Sequence, residues 1–160
     1  LEFRRVLFRS LLRTGRIFSM RISVITPFWK DLINMKQYKV GIVGATGMVG
    51  QRFSLLLENH PWFEVVALAA SARNKGKTYA EACEGRWKMT VPMPGKYKDM
   101  VMYDATADAE EIASKVDFIF CAVDMKKDEI RALEEKYAKL ECPVCSNNSA
   151  HRGKIGRAHV

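Results

Sequence analysis

Apolar positions along this chain follow two periods in alternation. Val40–Val43 is a continuous apolar run, the pattern of a strand buried on both faces of a parallel sheet. Met48–His60 follows with Val49, Phe53, Leu56 and Leu57 on one helical face, closed by Pro61, which cannot continue a helix. Glu64–Ala70 predicts a second strand, and Asp99–Asp104 alternates enough for a short third. Thr106–Lys115 predicts a helix with Asp108 and Glu111 near its start, where the dipole favours acids. Asp117–Val123 predicts the fourth strand. Asp128–Leu140 is the clearest amphipathic helix, with Ile130, Leu133, Tyr137 and Leu140 at helical spacing, and Pro143–Ser146 is a last short strand. Strands alternating with helices predict βαβ units and an α/β, doubly wound parallel sheet. There is no internal repeat and no low-complexity tract.

The junction of the first strand and first helix carries the chemistry. Gly44-x-x-Gly47-x-x-Gly50 follows the apolar strand directly. In that context Gly44 allows the tight turn, Gly47 lets backbone approach a pyrophosphate, and Gly50 lets the helix pack on the strand. The helix N–H groups then face the anion. A glycine string without strand and helix around it is a weak signal; with them it predicts a Rossmann-type dinucleotide-binding unit.

Composition adds little until its distribution is considered. An apolar content of 48% with 28% charged residues suits a globular protein with one core. The net charge of +8 suggests nucleic acid or a membrane surface, but residues 1–34 carry +5 of it and 154–160 carry +2. The segment 35–153 is left with +1, so neither partner is expected. No apolar stretch is long enough to span a bilayer. Four cysteines, Cys83, Cys121, Cys142 and Cys145, are too few for a secreted disulfide framework, and a reducing cytoplasm is expected.

Both ends read as foreign sequence. Leu1–Ser10 is encoded without mismatch by CTGGAGTTCAGACGTGTGCTCTTCCGATCT, and Ile155–Val160 by ATCGGAAGAGCACACGTC. The second string is the reverse complement of part of the first, as for one sequencing-library adapter read in opposite directions. Residues 11–34 are Arg-rich and poor in acids, which suits either a transit peptide or upstream read-through; the read-through alternative is favoured, because Met35 stands directly before the first strand. The expected organisation is a non-native tail at 1–34, a truncated nucleotide-binding domain at 35–153 and an adapter-like tail at 154–160.

The nucleotide follows from the end of the second strand, where an Asp or Glu would bond a ribose 2′-OH. Ala70-Ser71-Ala-Arg73-Asn74-Lys75-Gly-Lys77 has no acid there but a hydroxyl and three cations. Arg offers a fork and Lys a point charge to a 2′-phosphate, so NADP is expected rather than NAD.

Several strings then agree in order: Gly44–Phe53, Asn59–Val65, Ala69–Tyr79, Arg86-Trp87-Lys88, Phe120–Asp124 and Ser146–Arg152. Together they resemble the aspartate-semialdehyde dehydrogenase family in its archaeal and fungal-type branch, over essentially all of 35–153. The resemblance implies NADPH-dependent reduction of β-aspartyl phosphate to aspartate semialdehyde and phosphate, towards lysine, threonine and methionine. It implies a thiolate nucleophile, a thioester and an acid/base His, all beyond this sequence in a second α+β catalytic and dimerisation domain. No catalytic residue is therefore assigned here. It also implies a homo-oligomer at full length, and a fragment that binds nucleotide without turnover.

On this reading Gly44, Thr46, Gly47, Met48 and Val49 meet the pyrophosphate, and Gly50 completes the cofactor-binding turn. Ser71 and Arg73 meet the 2′-phosphate, and Asn74 beside them is counted among the cofactor-binding residues. Backbone of Cys121, Ala122 and Val123 lies at a strand's carboxyl end, where ligands bind in open sheets. Asn148 and Ser149 are placed near the nicotinamide. Cys145 is not taken as the nucleophile, because the family's Cys lies in a downstream Asn-Cys-Thr/Ser string. Cys142-x-x-Cys145 has metal-like spacing, but positions i and i+3 of a strand face opposite sides. His60 is expected to cap a helix end or lie at the surface, and His151 to be structural. N-acetyl-γ-glutamyl-phosphate reductase is an alternative of the same chemistry. A short-chain dehydrogenase is disfavoured, since no Tyr has Lys four residues on.

Overall fold

The computed structural model describes residues 37–151. The tails expected at 1–34 and 154–160, and Met35, lie outside the described residues. Five strands form one parallel sheet in the order β3-β2-β1-β4-β5: β1 Tyr38–Val43, β2 Phe63–Ala70, β3 Met102–Asp104, β4 Phe118–Cys121 and β5 Val144–Ser146. β1 pairs in parallel with both β2 and β4. The chain thus winds one way from β1 to β3 and then reverses to β4 and β5. The reversal opens a crevice beside β1, at the carboxyl ends of the strands.

The helices cover both faces. On one side lie α1 (Met48–Leu57), α2 (Tyr79–Cys83) and α3 (Gly95–Lys98). Their core joins Val40, Ile42, Leu68, Tyr79, Tyr97 and Met102. On the other lie α4 (Ala109–Lys115) and α5 (Lys127–Lys139), whose core joins Val43, Ala69, Ile112, Ile119, Leu133 and Tyr137. Each of the three buried tyrosines satisfies its hydroxyl on a backbone carbonyl: Tyr79 on Ala45, Tyr97 on Leu57 and Tyr137 on Ala105. A buried donor left unmade would cost about 1–3 kcal/mol.

Four expectations change. The buried face of α1 is Gly50, Gln51, Ser54 and Leu57, while Val49 (37%) and Leu56 (64%) are exposed. The apolar stripe is displaced because Gly50 and Ser54 let the helix come close, and Gln51 finds partners for its buried polar atoms. β3 begins at Met102, not Asp99, because Asp99 caps α3 and Val101 bridges antiparallel to Thr78. α4 begins at Ala109, not Thr106. The Asp104 carboxylate accepts from the N–H groups of Thr106 and Ala107 at 2.7 and 3.0 Å, which competes with helix. β4 stops inside the expected 117–123 range, and the Asp117 carboxylate instead accepts from Lys39 N–H at 2.7 Å.

Candidate nucleotide site

The candidate site begins at the turn from β1 to α1. The N–H groups of Gly44 and Ala45 both donate to Ala69 O, at 2.8 and 3.0 Å, and Ala122 N–H donates to Val43 O at 2.9 Å. The turn is thereby stapled to its two neighbouring strands. Gly44 has φ +89°, and a Cβ there would stand 2.5 Å from Ala122 O. A Cβ on Gly50 would collide with the carbonyl of Gly44 and stand 2.6 Å from Ala45 Cα. The fold itself demands both glycines. Gly47 differs: its φ is −75°, and a Cβ would meet only Gly44 O at 3.4 Å and Ala122 O at 3.9 Å. Protein packing leaves Gly47 room for a methyl group, and Gly47 faces the cleft.

Gly47 is also the N-cap of α1, with no side-chain cap and no acid in the first turn. The first-turn N–H groups therefore have no capping partner, and the positive end of the dipole is uncompensated. By contrast α2 has a Thr78–Glu81 capping box, and α5 carries Asp128 and Glu129 in its first turn.

The cleft beside this turn has a volume of about 480 Å³. Gly44, Thr46 and Gly47 line it from the turn, Ala70–Asn74 from the end of β2, and Ala122 and Val123 from the end of β4. The structure thus brings three separately predicted segments to one crevice. Ser71 precedes a 3-10 turn, Ala72–Asn74; Arg73 is exposed and Asn74 is buried. Of the three cations expected here, only Arg73 lines the cleft. Lys75 is drawn aside onto Asp108 at 2.6 Å, and its ammonium holds the Asp108 carboxyl below its ordinary range.

Other predicted residues stand elsewhere. Met48 and Val49 line a separate groove with Arg52 and Lys88 and not the cleft. Cys121 is buried, and burial pushes its thiol up to about 11. Asn148 donates to Cys121 Sγ at 3.5 Å and to Glu134 Oε1 at 3.3 Å. It lines a second cleft with Glu134, Cys142 and His151, and Ser149 is exposed and lines neither. Cys142 is buried and Cys145 exposed, as expected for i and i+3 on an extended segment. Among the described residues no cluster of His, Cys, Asp or Glu could hold a metal ion. His60 accepts from Trp62 N–H through Nδ1 at 3.2 Å and stacks on Phe63, a local turn contact. His151 sits 3.5 Å from the buried Glu134 carboxylate.

Sequence reasoning missed Arg86, Asp104–Thr106, Asp124 and Met125, all of which line the cleft. Arg86 lies thirteen positions beyond Arg73, and no local period links it to the site. The one available hint was the string Arg86-Trp87-Lys88.

Residues 39–155 match the family model described as semialdehyde dehydrogenase, NAD binding domain. The chain is 40% identical over 114 residues to aspartate-semialdehyde dehydrogenase of Aspergillus fumigatus, covering 71% of this chain and 30% of that one. It is 40% identical over 116 residues to the Archaeoglobus fulgidus enzyme of the same name, covering 72% and 32%. The crystal structure of aspartate semialdehyde dehydrogenase with NADP from Candida albicans superposes with a TM-score of 0.66 at 36% identity, covering 73% of this chain and 31% of that one. The chain thus spans about a third of the length of these relatives. By sequence, by sheet order and by the geometry of its glycine turn, this chain belongs to the semialdehyde dehydrogenase family and carries its NAD-binding domain.

Proposed function

We propose that this chain is the NADP-binding part of an aspartate-semialdehyde dehydrogenase, which reduces β-aspartyl phosphate to aspartate semialdehyde and phosphate. The observation that carries the cofactor assignment is the turn. Gly44 and Gly50 are required by the fold, whereas Gly47 has space that only a ligand's approach would deny it. The bare N-terminus of α1 supplies N–H donors for the pyrophosphate, with Thr46 beside it and Met48 and Val49 contributing backbone. Ser71 and Arg73 at the end of β2 favour a 2′-phosphate, because β2 itself ends without an acid to accept from a ribose hydroxyl. Ala122 and Val123 border the crevice on its other side. NADPH, when bound, supplies the hydride; the residues here bind and orient it.

The reacting thiol and its acid/base partner belong to the part of the relatives that this chain does not match. The chain is accordingly expected to bind dinucleotide and show no turnover, with β-aspartyl phosphate as the substrate of the whole enzyme and a homo-oligomer as its assembled form. The N-acetyl-γ-glutamyl alternative is not favoured, since the relatives above bear the aspartate-semialdehyde name. Calorimetric titration tests the cofactor reading. Arg73→Ala should weaken NADP binding about 10- to 50-fold, as expected for losing a charge-assisted contact, and NAD binding by less than about twofold. Equal losses for both nucleotides would sink the 2′-phosphate assignment.

A further inference from the structure

The geometry points to Arg86 as a second guanidinium contact to a phosphate of the bound dinucleotide, with Gln51 as the residue that positions it. This rests on the dinucleotide reading above and deepens it. Arg86 lines the same cleft as Thr46, Gly47 and Arg73, although it enters from the far end of α2. Three hydrogen bonds hold it there. Its N–H donates to Cys83 O at 2.9 Å, its carbonyl accepts from Gln51 Nε2 at 2.9 Å, and its Nη2 donates to Ala82 O at 3.0 Å.

Gln51 is fully buried and joins the two halves of the site. Its Nε2 also donates to Thr46 O at 3.0 Å, inside the glycine turn, and its Oε1 accepts from Lys88 N–H at 2.8 Å. One amide therefore fixes the distance between the phosphate-facing turn and the segment bearing Arg86.

The charge balance of the cleft favours an anion at Arg86. Among the described residues no carboxylate lies within 4.0 Å of Arg73 or Arg86. Two acids also line the cleft. The Asp104 carboxylate is engaged by Thr106 and Ala107 N–H groups, which leaves Asp124 as the other acid on the wall. Lys75 is neutralised by Asp108. Arg86 spends one donor on Ala82 O and keeps the rest of its fork for a ligand, and a guanidinium held by backbone has already lost much of its freedom before binding.

A purely structural role, capping the carbonyl end of α2, would predict a different outcome, so the test uses two variants. Arg86→Ala removes both the charge and the cap. Arg86→Gln removes the charge but keeps a donor for Ala82 O. NADP and NAD binding to the 160-residue chain are titrated by calorimetry, and the nucleotide-free thermal midpoint is recorded for each. Both variants should weaken NADP about 10- to 100-fold, the range for a hydrogen bond to a charged group, and Arg86→Gln should keep the wild-type midpoint. Loss for NADP alone assigns the contact to the 2′-phosphate, and loss for both nucleotides assigns it to the pyrophosphate; either supports the inference. Arg86→Gln binding both within about twofold of wild type overturns it while leaving the dinucleotide reading intact. A wild-type chain that binds neither nucleotide overturns both.

Discussion

The turn at Gly44–Gly50 and the segment 71–88 face one cleft but are held in different ways. The turn is short, local and stapled to the strands on either side of β1, through Ala69 O and the Val43–Ala122 pair. The segment 71–88 leaves the sheet at Ser71 and holds two short helical pieces, the 3-10 turn Ala72–Asn74 and α2. Backbone bonds of residues 76–79 to Met100 and Met102 hold its middle, and side chains tie it to the turn: Tyr79 hydroxyl donates to Ala45 O at 3.0 Å, and Gln51 bridges Thr46 to Arg86 and Lys88. The turn's shape comes from backbone sterics, whereas the segment's approach to the turn comes from buried polar side chains. Substitutions should therefore fail differently in the two.

The sharpest contrast is between glycines. Gly50→Ala forces a Cβ into backbone that cannot retreat, and a loss of about 3–5 kcal/mol in unfolding free energy is expected. Gly76 in the segment also has positive φ, +79°, but open space around it, so Gly76→Ala should cost only about 1–2 kcal/mol. Urea denaturation of the two variants measures the gap, and comparable losses would show that the turn is not sterically locked.

Next in size is the tie itself. Gln51→Leu strands Thr46 O, Arg86 O and Lys88 N–H, for an expected cost of about 2–4 kcal/mol. Amide exchange should accelerate at residues 86–88 well before it changes in β1 and β2. Uniform acceleration across the sheet would mean that Gln51 supports the core as a whole and does not position the segment.

The smallest expected effect is alkaline. Burial is the main cause that raises the Tyr79 phenol, pushes Tyr97 up to about 12 and pushes the Cys121 thiol up to about 11. These groups stay protonated in the folded chain at pH values where the unfolded chain has released the proton. The Cys121 contribution is complete below about pH 9 and is lost as pH rises through about 11; those of the tyrosines are complete below about pH 10 and are lost above it, for Tyr97 through about 12. The thermal midpoint should fall across those intervals, with tyrosinate absorbance appearing together with unfolding. A midpoint unchanged from pH 8 to pH 11 would contradict the burial of these groups.

The parallel α/β architecture was legible because its strands are buried on both faces and read as unbroken apolar runs: Val40–Val43, Val65–Ala70 and Phe118–Cys121 lie where the pattern places them. Helix α5 was equally clear, with Ile130, Leu133 and Tyr137 inward. The face of α1 was misread because close approach there selects Gly50 and Ser54, and hydropathy assigns small and polar residues to the outside. The extents of β3 and α4 were misread because the Asp99 cap and the Asp104 carboxylate outcompete regular pairing at their starts.

By itself the sequence determined the βαβ order and the glycine turn. Backbone sterics at Gly44 and the period of apolar burial are local properties, written in neighbouring residues. Tertiary structure alone decided which cations reach the cleft. Lys75 lies two residues from Arg73 in the chain's basic run yet is captured by Asp108, while Arg86 arrives from beyond α2 through a glutamine on another helix. A side chain's electrostatic role depends on partners brought near it by folding, and no pattern of neighbours encodes that.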